Sequence, residues 1–303
     1  MDRPPERRCI LCDTAGPFAP LYARDGWQLV RCRCGLVFQD PQPEAELLER
    51  SYYHDPAFTE ALLGELRPIT LDMARRKLAL LHREGVALAG LRVLDVGASS
   101  GAWLEVAAAE GATGVGIELG ETTASAARER GLDVRTGTLA QALPGLGGER
   151  FGLITFWDVL EHLHDPRAEL ALARELLAPG GRLAATFPNV RGLYPQLTYR
   201  LLAGRTGVWE YPELPVHLYD FAPDTARRLL ERGGYAVQGT RTFATPYRFY
   251  RTTSLSPERT GFGRRGRALR AAFDALHLAA YPLARLTDRG NSQFVLAQGS
   301  QAN

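Results

Sequence analysis

Two residue constellations in this 303-residue chain could bind ligands or metals by type and spacing alone. One is Val93 to Gly101, VLDVGASSG, with Glu118 placed 23 residues after Asp95. Gly97 and Gly101 allow a tight turn and a close helix that a Cβ would obstruct. Glu118 ends the apolar run Gly114-Val115-Gly116-Ile117, where a carboxylate can grip a ribose diol through both oxygens. A pyrophosphate would call for G-x-G-x-x-G and a cradle of backbone amides. Here Ala98, Ser99 and Ser100 fill the space between the glycines, and Asp95 stands at the strand end. A carboxylate there repels a pyrophosphate and accommodates a cationic sulfonium. Ala98 and Leu119 belong to the same candidate site.

The other constellation is the set of four cysteines, Cys9, Cys12, Cys32 and Cys34, two close pairs with 19 residues between them. Two tight turns presenting two thiolates each supply the four soft ligands of a tetrahedral zinc. Four cysteine ligands close the site, so the expected metal is structural; the alternative is a set of unpaired thiols. Further on, Asp158 and Glu161 have capping-box spacing, and His162 and His217 are candidate bases beyond strand ends. Either imidazole could take a proton from a nucleophile.

In chain order come Cys9-Ile10-Leu11-Cys12, Cys32-Arg33-Cys34-Gly35-Leu36-Val37-Phe38, VLDVGASSG and Trp157-Asp158-Val159-Leu160-Glu161-His162-Leu163. Leu177-Ala178-Pro179-Gly180-Gly181, Phe187-Pro188-Asn189 and His217-Leu218-Tyr219-Asp220-Phe221 follow. With these motifs the chain resembles the class I S-adenosylmethionine-dependent methyltransferases, in the small-molecule and sugar group that carries an N-terminal cysteine module. The resemblance implies S-adenosylmethionine as cofactor, with Asp95, Gly97, Ala98, Gly101, Glu118, Leu119, Thr138 and Trp157 around it. It implies zinc at the four cysteines and His217 facing the substrate as general base, with His162 and Asp158 as further catalytic candidates. Asp158 could lie beside the sulfonium, Trp157 and Trp103 could pack on the adenine or in the core, and Tyr52 and Tyr53 could form a lid. The expected reaction is O-methylation of a sugar, glycolipid or secondary-metabolite hydroxyl. Three alternatives stay open: sugar C-methylation, a non-catalytic zinc and nucleotide scaffold, and a metal-dependent 2′-O-methyltransferase of RNA ends. In the last, Asp158, Glu161, His162 and His217 would hold the cation.

The elements that must position these residues alternate. Apolar runs predict strands at 91–96, 113–118, 132–136, 151–156, 181–187 and 234–243. Helices are predicted at 101–110, 121–130, 166–177 and 222–232, with Asp165-Pro166 starting one and Pro179-Gly180-Gly181 following its end. The expected fold is α/β, a Rossmann-like, doubly wound, mostly parallel seven-stranded sheet, with a zinc-ribbon-like module in front. The family implies an antiparallel last strand at 292–298. The expected domains are 1–40 for the cysteine module, with strands around 28–30 and 36–38, and 41–90 for a helical lid or linker. Residues 91–303 form the cofactor-binding domain.

Composition is that of an ordinary globular chain, 45% hydrophobic and 23% charged, with formal charge +2. No global polyanion binding is implied, so DNA is not expected as a partner, and RNA ranks behind a small molecule or glycan. Residues 244–289 form a basic insertion, and from Arg241 to Arg289 ten arginines face only three acids. Leu269, Ala272, Phe273, Leu276, Ala280 and Leu283 make one helical stripe there. The insertion could cap the active site, form a dimer surface, or lie on an anionic membrane through 264–286. With no leader and no long apolar run, the expected location is cytoplasmic, with possible peripheral membrane contact.

Overall fold

The structure is a computed structural model that describes residues 7–48, 56–247 and 263–300. Tyr52 and Tyr53, within the helical lid or linker expected at 41–90, and residues 248–262 of the basic insertion lie outside the described residues. Eleven strands are described: β1 (Ala19–Arg24), β2 (Trp27–Arg31), β3 (Val37–Gln39), β4 (Arg92–Val96), β5 (Thr113–Glu118), β6 (Asp133–Thr136), β7 (Phe151–Trp157), β8 (Leu177–Pro188), β9 (Tyr219–Asp220), β10 (Tyr235–Phe243) and β11 (Ser292–Gly299). Seven make one sheet in the order β10-β11-β8-β7-β4-β5-β6, and β1-β2-β3-β9 make a second. The chain divides into two compact units. The first comprises Met1–Gln42, Phe187–Ala226 and Arg241–Gln293; the second comprises Pro43–Thr186, Arg227–Thr240 and Phe294–Asn303.

The second unit is the doubly wound core. β4 pairs in parallel with β5 and β7, β5 with β6, and β7 with β8, while the last strands run antiparallel and make the sheet mixed. Its strands are buried on both faces, so Val93, Leu94, Val115, Ile117, Leu153, Ile154 and Phe156 read as continuous apolar runs. Helices Ala102–Ala109, Glu121–Glu129 and Pro166–Leu176 alternate with them. Asp165 caps the last of these, its Oδ1 accepting from the N–H groups of Arg167 and Ala168. Before the sheet, helix Arg67–Arg83 buries Met73, Ala74, Leu80 and Leu81.

The first unit joins the cysteine segment to later parts of the chain. β3 pairs antiparallel with β9, Val37 opposite Asp220 and Phe38 opposite Tyr219. Leu29, Val37, Val190, Ala203, Trp209 and Ala222 form a buried cluster beneath this sheet. Helix Gly263–Leu286 is longer than the sequence stripe indicates. Its buried positions are Phe273, His277, Ala280 and Ala284, whereas Leu283 is 53% exposed. The predicted stripe therefore ends one residue, about 100° of rotation, away from the face that packs. Arg270 fastens this face, pairing with Glu210 and Asp274, and the Tyr194 hydroxyl donates to Glu210 at 2.6 Å. Burial lifts the Glu210 carboxyl to about 7, against the pull of the Tyr194 bond and the Arg270 charge. Among the described residues, no helix is long and apolar enough to cross a membrane.

Candidate active site

The ligand-binding turn sits at the carboxyl end of β4, in the second unit. Gly97 has φ +79°, and a Cβ built on it would come within 2.4 Å of Val159 Cγ2. A side chain there is excluded twice, by backbone conformation and by space. The N–H groups of Gly97 and Ala98 both donate to the Ile117 carbonyl, tying the turn to β5, and Gly101 begins the next helix. Asp95 is 1% exposed and accepts from the Thr155 hydroxyl at 2.6 Å. Burial raises its carboxyl to about 7, opposed by the Thr155 bond and the positive charge of Lys77.

Glu118 closes β5 as the spacing predicts. Its Oε2 accepts from the Ser99 N–H at 2.7 Å, and its Oε1 from the Gly120 N–H at 2.8 Å and the Thr123 hydroxyl at 3.2 Å. Burial shifts this carboxyl above its ordinary value, with those bonds pulling the other way. Two carboxylate oxygens offer about four acceptor positions, so capacity remains for a further donor. Leu119 is half-buried beside it. Thr138 is exposed and serves as a helix cap, in a reciprocal capping box with Gln141.

At the end of β7, Trp157 meets Trp103 edge to face at 5.0 Å and stacks on Phe294 at 6.3 Å. Both indole N–H groups, of Trp103 and Trp157, are buried without a hydrogen-bond partner among the described residues. Asp158 does not form the box with Glu161 that the spacing suggests. It adopts φ +60°, and the short 3₁₀ turn Leu160–His162 is preceded by Val159 with no side-chain cap. Asp158 pairs instead with Lys77 at 3.2 Å, whose ammonium lies 5.4 Å from the Trp157 ring centroid. Lys77 carries no motif; its place in the site comes only from the packing of helix Arg67–Arg83. Glu161 is fully buried, and one of its oxygens lies within 4.8 Å of a His162 ring nitrogen.

The remaining candidates lie in the first unit. His217 is 6% exposed, its Nε2 3.6 Å from Glu213 Oε2. Its N–H donates to the Glu213 carbonyl at 2.8 Å, and its own carbonyl accepts from Gln39 Nε2 at 2.6 Å. The four cysteine sulfurs lie within 4.8 Å of one another. Cys9 and Cys34 are 3.5 Å apart and Cys12 and Cys32 3.4 Å, near the spacing of about 3.8 Å that tetrahedral ligands at 2.3 Å from zinc require. Gly35, at φ +94°, reverses the chain after Cys34, which lets the short Cys-x-Cys knuckle turn both sulfurs inward. Burial raises the Cys9 thiol, while hydrogen bonds from Thr14 and the neighbouring thiols outweigh burial at Cys12 and lower it to about 6.

The methyltransferase domain family matches residues 69–239, more than half of the chain. The chain belongs to that family. A ubiquinone biosynthesis O-methyltransferase of Dinoroseobacter shibae is 31% identical over 193 residues, 59% of this methyltransferase and 75% of that protein. One of Pseudomonas entomophila is 37% identical over 105 residues, 33% of this chain and 45% of the relative; the chain thus spans about half the length of some of these relatives. Among solved structures, an S-adenosylmethionine-dependent methyltransferase from Archaeoglobus fulgidus aligns over 80% of this chain and 100% of its own, at 18% identity and TM-score 0.52. Magnesium protoporphyrin IX methyltransferase from Synechocystis, solved with S-adenosylhomocysteine, aligns over 84% and 100%, at 17% identity and TM-score 0.54. These likenesses establish the Rossmann-like methyltransferase fold. The donor set at the β4 and β5 ends suits S-adenosylmethionine. The two indole N–H groups, unpartnered among the described residues, can meet an anionic or carbonyl oxygen, and Glu118 retains acceptor capacity.

Proposed function

We propose that this methyltransferase moves the methyl group of S-adenosylmethionine to a hydroxyl oxygen of a small acceptor, with His217 as the general base. The cofactor supplies a methyl group already activated on a sulfonium, so the chain's own task is alignment and removal of one proton. Glu118 holds the ribose diol; the turn Asp95–Gly101, with Leu119 and Trp157, encloses the rest of the donor, and Thr138 stands near the adenine. His217 takes the acceptor's proton at a ring nitrogen. The observation that carries this reading is the pairing of a buried imidazole with a carboxylate, His217 Nε2 against Glu213 at 3.6 Å. A carboxylate behind an imidazole orients it and stabilises the cation that forms on proton uptake. The acceptors first expected are sugars, glycolipids and secondary metabolites, and the relatives' names add precursors of ubiquinone to that set. Zinc at Cys9, Cys12, Cys32 and Cys34 is structural in this reading.

The test is His217→Ala. S-adenosylhomocysteine affinity by calorimetry is expected to stay near wild type, while turnover falls by roughly 10²–10⁴-fold. Turnover is also expected to be indifferent to EDTA. If EDTA abolishes activity and magnesium or manganese restores it, the cation reading of Asp158, Glu161, His162 and His217 replaces this one.

A further inference from the structure

The first unit holds a polar group that proton transfer does not use. Asp220, on β9, is 1% exposed, and neither of its carboxyl oxygens has a hydrogen-bond partner among the described residues. Strand register defines what lies beside it. Asp220 is opposite Val37, so it shares a face of the sheet with Val37 and, diagonally, with Gln39. Gln39 is fully buried. Its Nε2 donates to the carbonyls of Pro215 at 2.7 Å and His217 at 2.6 Å, which fixes the amide's orientation. Its Oε1 is left with no donor among the described residues.

A buried acceptor without a donor lowers stability, and folded proteins rarely keep one. Here two side chains on one face both present such acceptors, at the strand that follows His217. We propose that Asp220 and Gln39, on the β3–β9 face, are the specificity-determining residues for the acceptor, hydrogen-bonding a second hydroxyl beside the one that is methylated, which both donates and accepts. This rests on the reading of the chain as an O-methyltransferase with His217 as base. The ligand class is an uncharged vicinal diol, such as a catechol or a sugar ring. Burial and then the charge of Glu213 push the Asp220 carboxyl up to about 8, so near neutrality it is the acid, able both to donate and to accept. A hydroxyl does the same. An anionic group would face the Gln39 carbonyl and the Glu213 charge, and an ammonium offers no acceptor for the Asp220 proton.

Two arms test this with the full-length protein. The first compares wild type with Asp220→Val, which suits a strand and removes both oxygens. The variant is expected to melt at or above the wild-type temperature and to bind S-adenosylhomocysteine unchanged. Loss of several degrees would make Asp220 a structural residue and overturn the proposal; this arm needs no turnover. The second arm measures KM for 3,4-dihydroxybenzyl alcohol and methyl glucopyranoside against 3-hydroxybenzyl alcohol and 2-hydroxybenzylamine, in which an ammonium replaces the second hydroxyl. Asp220→Val is expected to raise KM for the diols about tenfold or more, the loss of a buried hydrogen bond. Asp220→Asn, which keeps a donor and an acceptor, is expected to stay within about threefold. Equal KM values for diol and single hydroxyl, unmoved by either variant, would overturn the proposal and leave the methyltransferase reading standing. Preference for the amine would overturn it too. A wild type that binds no S-adenosylhomocysteine would instead refute the donor reading itself.

Discussion

Gly97→Ala gives the sharpest test of how the donor-binding turn is built. The substitution meets two separate costs. Alanine at φ +79° occupies the left-handed region, at about 1–2 kcal/mol. Its Cβ would also stand 2.4 Å from Val159 Cγ2, and relief of such overpacking typically costs about 1–3 kcal/mol. Together they predict destabilisation of about 2–5 kcal/mol, read in urea or as a fall in Tm of roughly 4–20 °C for a unit of this size. Val159 leads into the turn that carries Glu161 and His162, so pushing it moves that turn as well, and S-adenosylhomocysteine affinity should fall with stability. The two costs separate in a double-mutant cycle. Val159→Ala removes the methyl groups that clash, so Gly97→Ala on that background should keep only the backbone share, a coupling of at least about 1 kcal/mol. A Gly97→Ala protein as stable as wild type, or a cycle with no coupling, would refute this account of the turn.

Glu118→Ala should weaken S-adenosylhomocysteine by about 1.5–3 kcal/mol, the range for a hydrogen bond to a charged group, and calorimetry that finds wild-type affinity would remove Glu118 from the site. Protein purified without added metal should carry one zinc per chain by elemental analysis, and Cys34→Ser should lose both the metal and the thermal stability of the N-terminal segment. A metal-free preparation that is folded and fully active would show the four thiols to be dispensable.

The parallel sheet was legible because its strands are buried on both faces, and continuous apolar runs bounded by glycine survive without any tertiary information. The turn at Gly97 and the acid at Glu118 were legible for the same local reason. Strand β9 was not. Two residues carry no periodicity, and Tyr219–Asp220 become a strand only because β3, far away in sequence, pairs with them. Lys77 was equally silent, since a lysine on an amphipathic helix usually faces water, and only packing brings this one to Asp158 and Trp157. Asp158 and Glu161 misled for the opposite reason. Their spacing fits a capping box, but the left-handed backbone at Asp158 turns its carboxylate toward Lys77. On helix Gly263–Leu286 the stripe was right at Phe273 and Ala280 and left the packed face at its end, where the more apolar Leu283 is exposed and Ala284 is buried.

The pairing of β3 with β9 gives the order of synthesis a bearing on how this protein matures. The cysteine ribbon leaves the ribosome well before the residues that cover its edge, Tyr219 and Asp220, which follow more than 180 positions later. At elongation rates of about 5–20 residues per second, the ribbon spends on the order of ten seconds or more with unpaired N–H and C=O groups on β3. An open strand edge is a template for pairing with another chain. Whether β3 meets its own late partner or the edge of a neighbouring chain is then settled during synthesis, before Tyr219 and Asp220 arrive.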